Sequence, residues 1–460
     1  MTITLQNTEK GQCYAVKFDR YRQQVVDKLK SSVSIRWWDK QTGAWLIPAT
    51  NKCKAELDQL TYYVRHFEPV QWGTIAQSQT EEDVAFQIPE MPELDGEHGL
   101  KVQPYPYQLQ GIARGLQLKR FINGDDMGLG KTLESIATIN KANAFPCLVI
   151  CPNVVKINWQ REWHKFTDKK AMVLTDSVRD SWPFFWQTGM NQVFIVNYES
   201  LRKYFVRRIT KAEKWTLKDV EFHNTIKLFK SVIIDESHKV KSTATQQTKF
   251  CKGIASGKEY IILLTGTPVV NKPKDLVAQL GIMDRMIDMG GWKGFILRYC
   301  SGPNQASNLK ELNYKLWQHC FFRREKSKVL TQLPDKVRQI VSCEITNRKE
   351  YMDAERDLID YLKRYKEADD EKIQKSLKGE VMVRIGILKD ITARGKLKEV
   401  IDFVKDFREN GKKIILFCNL HEIVDRLMIA FPSAVCVTGR QNMQEKQASV
   451  DAFQKNPKTD

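Results

Sequence analysis

No apolar run in this chain approaches the length of a membrane span. The best candidates, Tyr260-Ile261-Ile262-Leu263-Leu264 and Lys413-Ile414-Ile415-Leu416-Phe417-Cys418, are strand-sized, whereas a spanning helix needs about 20 apolar residues. The opening residues, Met1-Thr2-Ile3-Thr4-Leu5-Gln6-Asn7, lack the basic start and apolar stretch of a secretory signal. Cysteine is scarce, with ten in 460 residues and no Cys-x-x-Cys pair. That argues against a disulfide scaffold or a zinc site, and for reduced thiols in an intracellular compartment. Internal repeats and low-complexity tracts are absent as well. Acid is also in deficit: 73 Lys and Arg face 55 Asp and Glu, a net charge of +18. Such a surplus favours a polyanionic partner, nucleic acid before others. It is unevenly spread. Leu201 to Lys230 carries nine basic and three acidic residues, while Gln71 to Leu100 carries seven acids and no Lys or Arg.

The chain is long enough for two or three domains. The acidic stretch, with Pro89, Pro92 and Gly96, reads as a linker over 71–100. Before it, residues 1–70 form a small α+β module. Helical spacing runs from Arg20 to Ser31 (Tyr21, Val25, Val26, Leu29), and a hairpin turns at Gln41-Thr42-Gly43 between Ser34–Asp39 and Ala44–Pro48. Trp37, Trp38 and Trp45 on that hairpin, interleaved with Arg36 and Lys40, suit either DNA contact or the core of the module. From 101 to 290 aliphatic runs alternate with helical segments: Ala144–Ile150, Val193–Val196, Ser231–Ile234 and Ile261–Leu264. Runs of this kind suit parallel strands buried on both faces of a doubly wound α/β sheet. Residues 291–395 read as a mostly helical connector, with heptad-like spacing at Leu358, Tyr361, Leu362 and Tyr365. Two further strand-like runs, Ile414–Cys418 and Ala434–Val437, open a second α/β unit over 396–460.

The chemistry concentrates at Asp125-Asp126-Met127-Gly128-Leu129-Gly130-Lys131-Thr132. A glycine-rich turn ending in Gly-Lys-Thr before a helix is a phosphate-binding loop. Its N–H groups cradle phosphates, Lys131 neutralises the terminal ones, and the Thr132 hydroxyl holds Mg²⁺. One position is out of pattern, since the strict loop has a small residue where Asp125 stands. Downstream, the strand Val232-Ile233-Ile234 runs into Asp235-Glu236-Ser237-His238. Asp235 is placed to hold Mg²⁺ and Glu236 to polarise the attacking water. At the end of another buried strand, Thr265-Gly266-Thr267-Pro268 offers hydroxyls that link the phosphate site to a DNA path. Upstream, Tyr107 is suited to stacking on adenine and Gln108 to pairing with its edge.

Order and wording together resemble the helicase-like ATPases of superfamily 2, and more narrowly the Swi/Snf-type DNA translocases. Tyr107-Gln108 resembles the Q motif and Asp125–Thr132 that family's form of motif I, which accepts the acid at Asp125. Cys151-Pro152 with Trp159 and Glu162 resembles motif Ia, Asn197-Tyr198-Glu199 motif Ib, and Asp235–His238 motif II. Thr265–Pro268, continuing to Asn271, is similar to motif III. Phe322-Arg323-Arg324 with Lys326, Leu333-Pro334 and Lys336 resembles the segment joining the two lobes, and Gly395-Lys396-Leu397 with Lys413–Cys418 the entry to lobe two. The N-terminal module is similar to the HARP-type module of annealing helicases through Lys17-Phe18, the helix after it and Trp45-Leu46-Ile47-Pro48.

The resemblance implies tandem RecA-like lobes, ATP with Mg²⁺, double-stranded or forked DNA as partner, and coupling or DNA-path roles for His238, Thr265, Gly266, Thr267, Arg323 and Arg324. It implies Lys131, Asp235 and Glu236 as the hydrolytic residues of a DNA-dependent ATPase. Counterparts of motifs V and VI are not found after Ala434, and neither Arg394 nor Arg440 sits in a matching motif. The second lobe is therefore expected to be incomplete. Two other readings stay open: a nucleotide- and DNA-binding module with little turnover, and a strand-separating helicase.

Overall fold

The computed structural model describes residues 1–8, 11–19, 21–40, 42–67, 69–72, 86–269, 272–300, 306–334, 336–356, 380–409, 411, 413–457 and 459. They fall into two compact units, Met1–Thr331 and Gln332–Asp460.

The first unit opens with a mixed five-stranded sheet in the order β3-β4-β2-β1-β5. Its strands are β1 (Thr2–Thr8), β2 (Gly11–Lys17), β3 (Trp37–Asp39), β4 (Ala44–Pro48) and β5 (Gln71–Trp72). Helices Gln23–Ser32 and Asn51–Val64 close over one face. Val25, Val26 and Leu29 are buried at helical spacing, and Ile3, Val16, Ile47, Leu57 and Leu60 complete a core with Val25 and Leu29. β3 and β4 pair antiparallel with Asp39 opposite Ala44, the expected hairpin; Gln41 of its turn lies outside the described residues. The tryptophans divide between the two readings. Trp45 packs on the helix-covered core and Trp37 on a smaller cluster with Leu46, while Trp38 is 49% exposed.

The rest of the first unit is an α/β lobe built on seven parallel strands in the order β14-β6-β13-β12-β7-β9-β8. These are β6 (Arg120–Asn123), β7 (Cys147–Cys151), β8 (Ala171–Val173), β9 (Val193–Asn197), β12 (Ser231–Asp235), β13 (Tyr260–Leu264) and β14 (Phe321–Phe322). A separate two-stranded ribbon joins β10 (Val206–Ile209) to β11 (Val220–Phe222). Every residue of β7, β9 and β13 is buried. Near-continuous aliphatic sequence is what a sheet covered on both faces demands. Helices Pro106–Leu118, Lys131–Lys141, Lys156–Phe166, Gln246–Ala255 and Leu276–Ile282 fill the crossovers. This is the doubly wound arrangement of a RecA-like lobe. In such a sheet ligands bind beyond the carboxyl ends of the strands, and Asn123, Asn197, Asp235 and Leu264 stand at those ends.

The sheet also revises the expected boundary at 290. β14 lies parallel to β6, with Phe322 opposite Asn123. Residues taken from the sequence as connector thus supply an edge strand of the first lobe. Two phenylalanines are too short a run to read as a strand without their neighbour.

In the second unit, helices Glu380–Glu409 and His421–Ala430 enclose a small core of Leu397, Val404, Ile423, Leu427 and Phe431, and helix Met443–Lys455 follows. The expected strands at 414–418 and 434–437 are not formed there: the described residues carry no strand in this unit. With no hydrogen-bonded neighbour, Phe417 and Ile415 remain 96% and 64% exposed. The heptad positions Leu358, Tyr361, Leu362 and Tyr365 lie outside the described residues. Among the described residues no helix is long and apolar enough to cross a membrane.

Candidate functional site

β6 delivers the chain into the glycine-rich loop, which ends at the N-terminus of helix Lys131–Lys141. Gly130 adopts φ +89, and a Cβ there would stand 2.2 Å from the Gln108 Nε2. Only glycine meets both conditions. Leu129 is buried beneath the loop, whereas Met127 is 71% exposed at its crest. The Lys131 ammonium donates to the Asp125 and Asp126 carbonyls at 2.7 and 3.1 Å, and burial lowers its pKa. Incoming phosphate oxygens would take over from those carbonyls.

Gln108 does not face outward as the sequence suggested. It is 6% exposed, its Oε1 accepts from the Tyr105 N–H at 3.0 Å, and its Nε2 donates to the Leu129 carbonyl at 3.0 Å. The amide braces the loop rather than presenting a free edge to a base. The Tyr107 ring is also engaged. Tyr105 stacks with it at 5.7 Å and the Arg324 guanidinium lies 5.2 Å from its centroid. Tyr105, 57% exposed, is the aromatic surface left open to a ligand.

The out-of-pattern acid finds its reason in Arg324. Asp125 is fully buried, and its carboxylate accepts from the Arg324 N–H at 2.7 Å and from Nε at 3.0 Å. The same guanidinium donates to Glu134 Oε1 at 2.6 Å and to the Tyr107 carbonyl. A Cβ at Gly111 would stand 2.5 Å from the Glu134 carboxylate, so the helix above must be bare at that point. Burial raises the pKa of Asp125, and burial together with Asp125 raises that of Glu134 well above its usual value. Arg324 is therefore an internal clamp on the phosphate loop, with its nitrogens occupied by protein. The DNA-path role expected for it is corrected. Arg323 is also drawn to the loop, donating to Asp126 Oδ1 at 2.9 Å, while the Lys326 N–H donates to Asp126 Oδ2 at 3.0 Å. That second bond, with the Arg323 charge, lowers the Asp126 pKa.

Asp235 ends β12 across from the loop. Its Oδ2 accepts from the Trp159 indole N–H at 2.9 Å and its Oδ1 from the Glu236 N–H at 2.9 Å. Burial raises its pKa, and the Trp159 bond opposes that rise. Glu236 sits at φ +52, ψ 50, a left-handed conformation that costs a non-glycine residue free energy and commonly marks a functional turn. His238 Nδ1 lies 3.1 Å from Glu236 Oε2 and 3.3 Å from Thr265 Oγ1. Motifs II and III are thus joined through one imidazole. Thr265 is 1% exposed and its hydroxyl also accepts from the Thr267 N–H at 3.1 Å. A Cβ on Gly266 would touch Met127 at 3.4 Å, so this turn lies against the phosphate loop. Buried there, Thr265 is not an exposed DNA contact; Thr267 is exposed, and Asn271 lies outside the described residues.

Thr132 and Asp235 fit Mg²⁺. The Thr132 hydroxyl makes no hydrogen bond among the described residues, and each Asp235 oxygen keeps acceptor capacity beyond the bond it makes. One hydroxyl and one carboxylate are an all-oxygen set, of the kind that binds Mg²⁺ together with water and phosphate oxygens.

The sequence pattern of the SNF2-related domain matches residues 107–397, the span that holds this whole constellation. The chain belongs to the SNF2-related family.

Curated relatives include the SWI/SNF-related matrix-associated actin-dependent regulator of chromatin subfamily A-like protein 1 of Xenopus laevis, 24% identical over 446 residues, covering 91% of this chain and 42% of the relative. The DNA annealing helicase and endonuclease ZRANB3 of Homo sapiens is 26% identical over 383 residues, covering 78% and 33%. A solved Sulfolobus solfataricus SWI2/SNF2 ATPase core in complex with dsDNA is 22% identical, covers 80% of this chain and 79% of that chain, and has a TM-score of 0.43. The chain spans less than half the length of either of these two curated relatives.

In this SNF2-related site, Glu134 and Asn123 carry no signal in the sequence, and Trp159 and Tyr198 match motifs that give them no role. Glu134 and Asn123 are buried partners of the Arg324 clamp, with Asn123 Nδ2 donating to Glu134 Oε2 at 2.8 Å. Trp159 fixes Asp235, and the Tyr198 hydroxyl donates to the Asp235 carbonyl. Motif Ia therefore holds the carboxylate of Asp235 and motif Ib its main chain. Trp159→Phe keeps the packing and removes one bond to a charged group, worth about 1.5–3 kcal/mol. Asp235 then binds its proton more tightly, and the Mg²⁺-competent carboxylate is lost at a higher pH as pH falls. The expected result is a rise of roughly tenfold or more in the Mg²⁺ half-saturation of nucleotide binding, largest on the acid side. Titration of Mg²⁺ with a fluorescent nucleotide at several pH values checks it; an unchanged midpoint rejects the support role.

Proposed function

We propose that the chain is the motor part of an ATP-driven DNA translocase that acts on double-stranded DNA and remodels or anneals forks. The observation that carries this reading is the meeting of Lys131, Thr132, Asp235, Glu236 and His238 beyond the carboxyl ends of β6 and β12, in a chain of the SNF2-related family. ATP phosphates take the loop N–H groups and draw the Lys131 ammonium off the Asp125 and Asp126 carbonyls. Thr132 and Asp235 hold Mg²⁺, which when bound neutralises charge that develops on the phosphates. Glu236 orients the attacking water and accepts its proton. His238 lies between Glu236 and Thr265 and so transmits the state of the nucleotide side to the turn against Met127. The annealing part of the reading is supported by a relative named as a DNA annealing helicase and by the N-terminal module, where exposed Trp38 stands near Arg36 and Lys40 in the sequence.

The test is hydrolysis of ATP with and without duplex DNA, alongside rewinding of a plectonemic bubble. Stimulation by duplex together with rewinding supports the reading. Hydrolysis indifferent to DNA rejects the motor, and separation of fully paired forks reassigns it as a strand-separating helicase.

A further inference from the structure

The basic stretch from Leu201 to Lys230 takes no part in the nucleotide site. It folds as the short helix Leu201–Phe205 and the ribbon β10–β11, which forms a sheet of its own. The ribbon is firmly mounted. At its tip Trp215 stacks on Phe250 at 5.6 Å, and Lys249 donates to the Trp215 carbonyl at 2.8 Å. At its base the Phe222 ring lies directly against Gly253. Two of its three acids are used internally, and the third, Glu213, lies in the turn beyond the strands. Glu221 forms a two-bond pair with Arg208 at 2.8 and 2.7 Å, and Asp219 accepts from Thr216 at 2.8 Å and pairs with Lys211 at 3.0 Å.

The cations that remain are placed together. The pairing register slips between Val206 and Arg208, and a bulge of this kind re-aims the side chain it carries. Here that residue is Arg207, which joins Arg202, Lys203 and Arg208 around a hollow of about 420 Å³ whose only acid is Glu199. Lys203 is paired with Asp176 at 2.7 Å, and Glu199 accepts from Asn197 at 2.8 Å. Arg202 and Arg207 are exposed, with no carboxylate within 4.0 Å among the described residues; the same holds for Lys214 and Lys218. Two unpaired guanidiniums at one hollow repel each other unless an anion lies between them, and their planar forks match phosphate oxygens. The helix that bears Arg202 follows β9 at its carboxyl end, the end of the sheet on which the nucleotide site also stands.

We infer that this ribbon and hollow form a second contact for the phosphate backbone of duplex DNA, one that sets grip on the track without entering the chemistry of hydrolysis. The inference rests on the motor reading for the identity of the polyanion. Each lost phosphate contact reduces the slope of log affinity against log salt by about 0.9.

The experiment measures duplex binding from about 50 to 200 mM salt, the range in which phosphate contacts show most, for the parent chain, Arg202→Ala/Arg207→Ala and Arg202→Lys/Arg207→Lys. The alanine pair is expected to weaken binding roughly tenfold at the lower salt and to flatten the slope by about two. The lysine pair should keep most of the affinity, and turnover at saturating DNA should be unchanged in both. Unaltered affinity and slope in the alanine pair overturn the inference, even where duplex still stimulates the parent. Loss of inorganic phosphate binding with duplex affinity intact also overturns it, making the hollow a small-anion site. If duplex fails to stimulate the parent yet the alanine pair loses duplex affinity, the ribbon stands and the motor reading falls.

Discussion

Glu236→Gln is expected to lower ATP turnover by about 10²–10⁴-fold, the usual weight of a positioned general base, while nucleotide affinity stays near that of the parent. The amide keeps the size of the side chain and its reach to His238, which stands 3.1 Å away. It cannot accept the proton of the attacking water. The left-handed backbone at Glu236 is untouched by the change, so the cost falls on chemistry and not on the fold. Single-turnover hydrolysis and equilibrium binding of a fluorescent nucleotide separate the two effects. Undiminished hydrolysis moves the base elsewhere. Lost affinity with lost turnover would show that Glu236 shapes the pocket.

Arg324→Ala is expected to be the most damaging single change to the first unit. It leaves Asp125 and Glu134 buried without a counter-charge and strips a donor from the Tyr107 carbonyl. Breaking a buried pair from one side costs about 3–5 kcal/mol, a fall in Tm on the order of 10 °C for a unit of this size. Arg324→Lys should recover little, because a point charge cannot bridge two carboxylates and a carbonyl at once. Arg324→Met combined with Asp125→Asn and Glu134→Gln should be more stable than Arg324→Met alone, since no charge is then stranded. Calorimetry decides. A loss under about 1 kcal/mol, the range of an exposed ion pair, contradicts the clamp.

Much of the site was legible because its signals are local. The phosphate loop, the acid pair after Ile234 and the aliphatic runs of β7, β9, β12 and β13 are continuous in sequence, and the fold sets the loop and the acid pair beyond the carboxyl ends of β6 and β12. What escaped depends on distant partners. The resemblance allowed an acid at Asp125 but gave no reason for it, and the reason, Arg324, lies 199 residues away. Gln108 read as a base-pairing amide because nothing nearby shows that Leu129 and Tyr105 already use it. β6 and β14, with four and two residues, are too short to announce themselves; β6 exists by pairing with β13, and β14 by pairing with β6. The runs at 414–418 and 434–437 failed in the opposite direction: local β propensity was present and a pairing neighbour was not. Trp37, Trp38 and Trp45 show the same limit: Trp38 and Trp45 pair across one face of the hairpin, and only Trp45 reaches the helix-covered core, while Trp37 packs on the opposite face.

The clamp also ties the phosphate loop to the segment that leaves the lobe. The same edge strand that carries Phe321 and Phe322 leads into Arg323, Arg324 and Lys326, and all three meet the acids of the phosphate loop or lie beside it. Motion of that segment would be felt directly at Asp126 and Lys131. A motor needs such a connection between its nucleotide site and the chain that leaves the lobe, and in this lobe it is made of ion pairs.

If the chain is a motor, its nucleotide hydrolysis answers to DNA. The decisive measurement is the steady-state ATPase rate of the parent and of Glu236→Gln, each titrated with duplex DNA at fixed salt and saturating Mg²⁺-ATP. A parent rate that climbs with duplex and saturates, beside a flat Glu236→Gln line, is the predicted result; equal rates with and without duplex in the parent would contradict it.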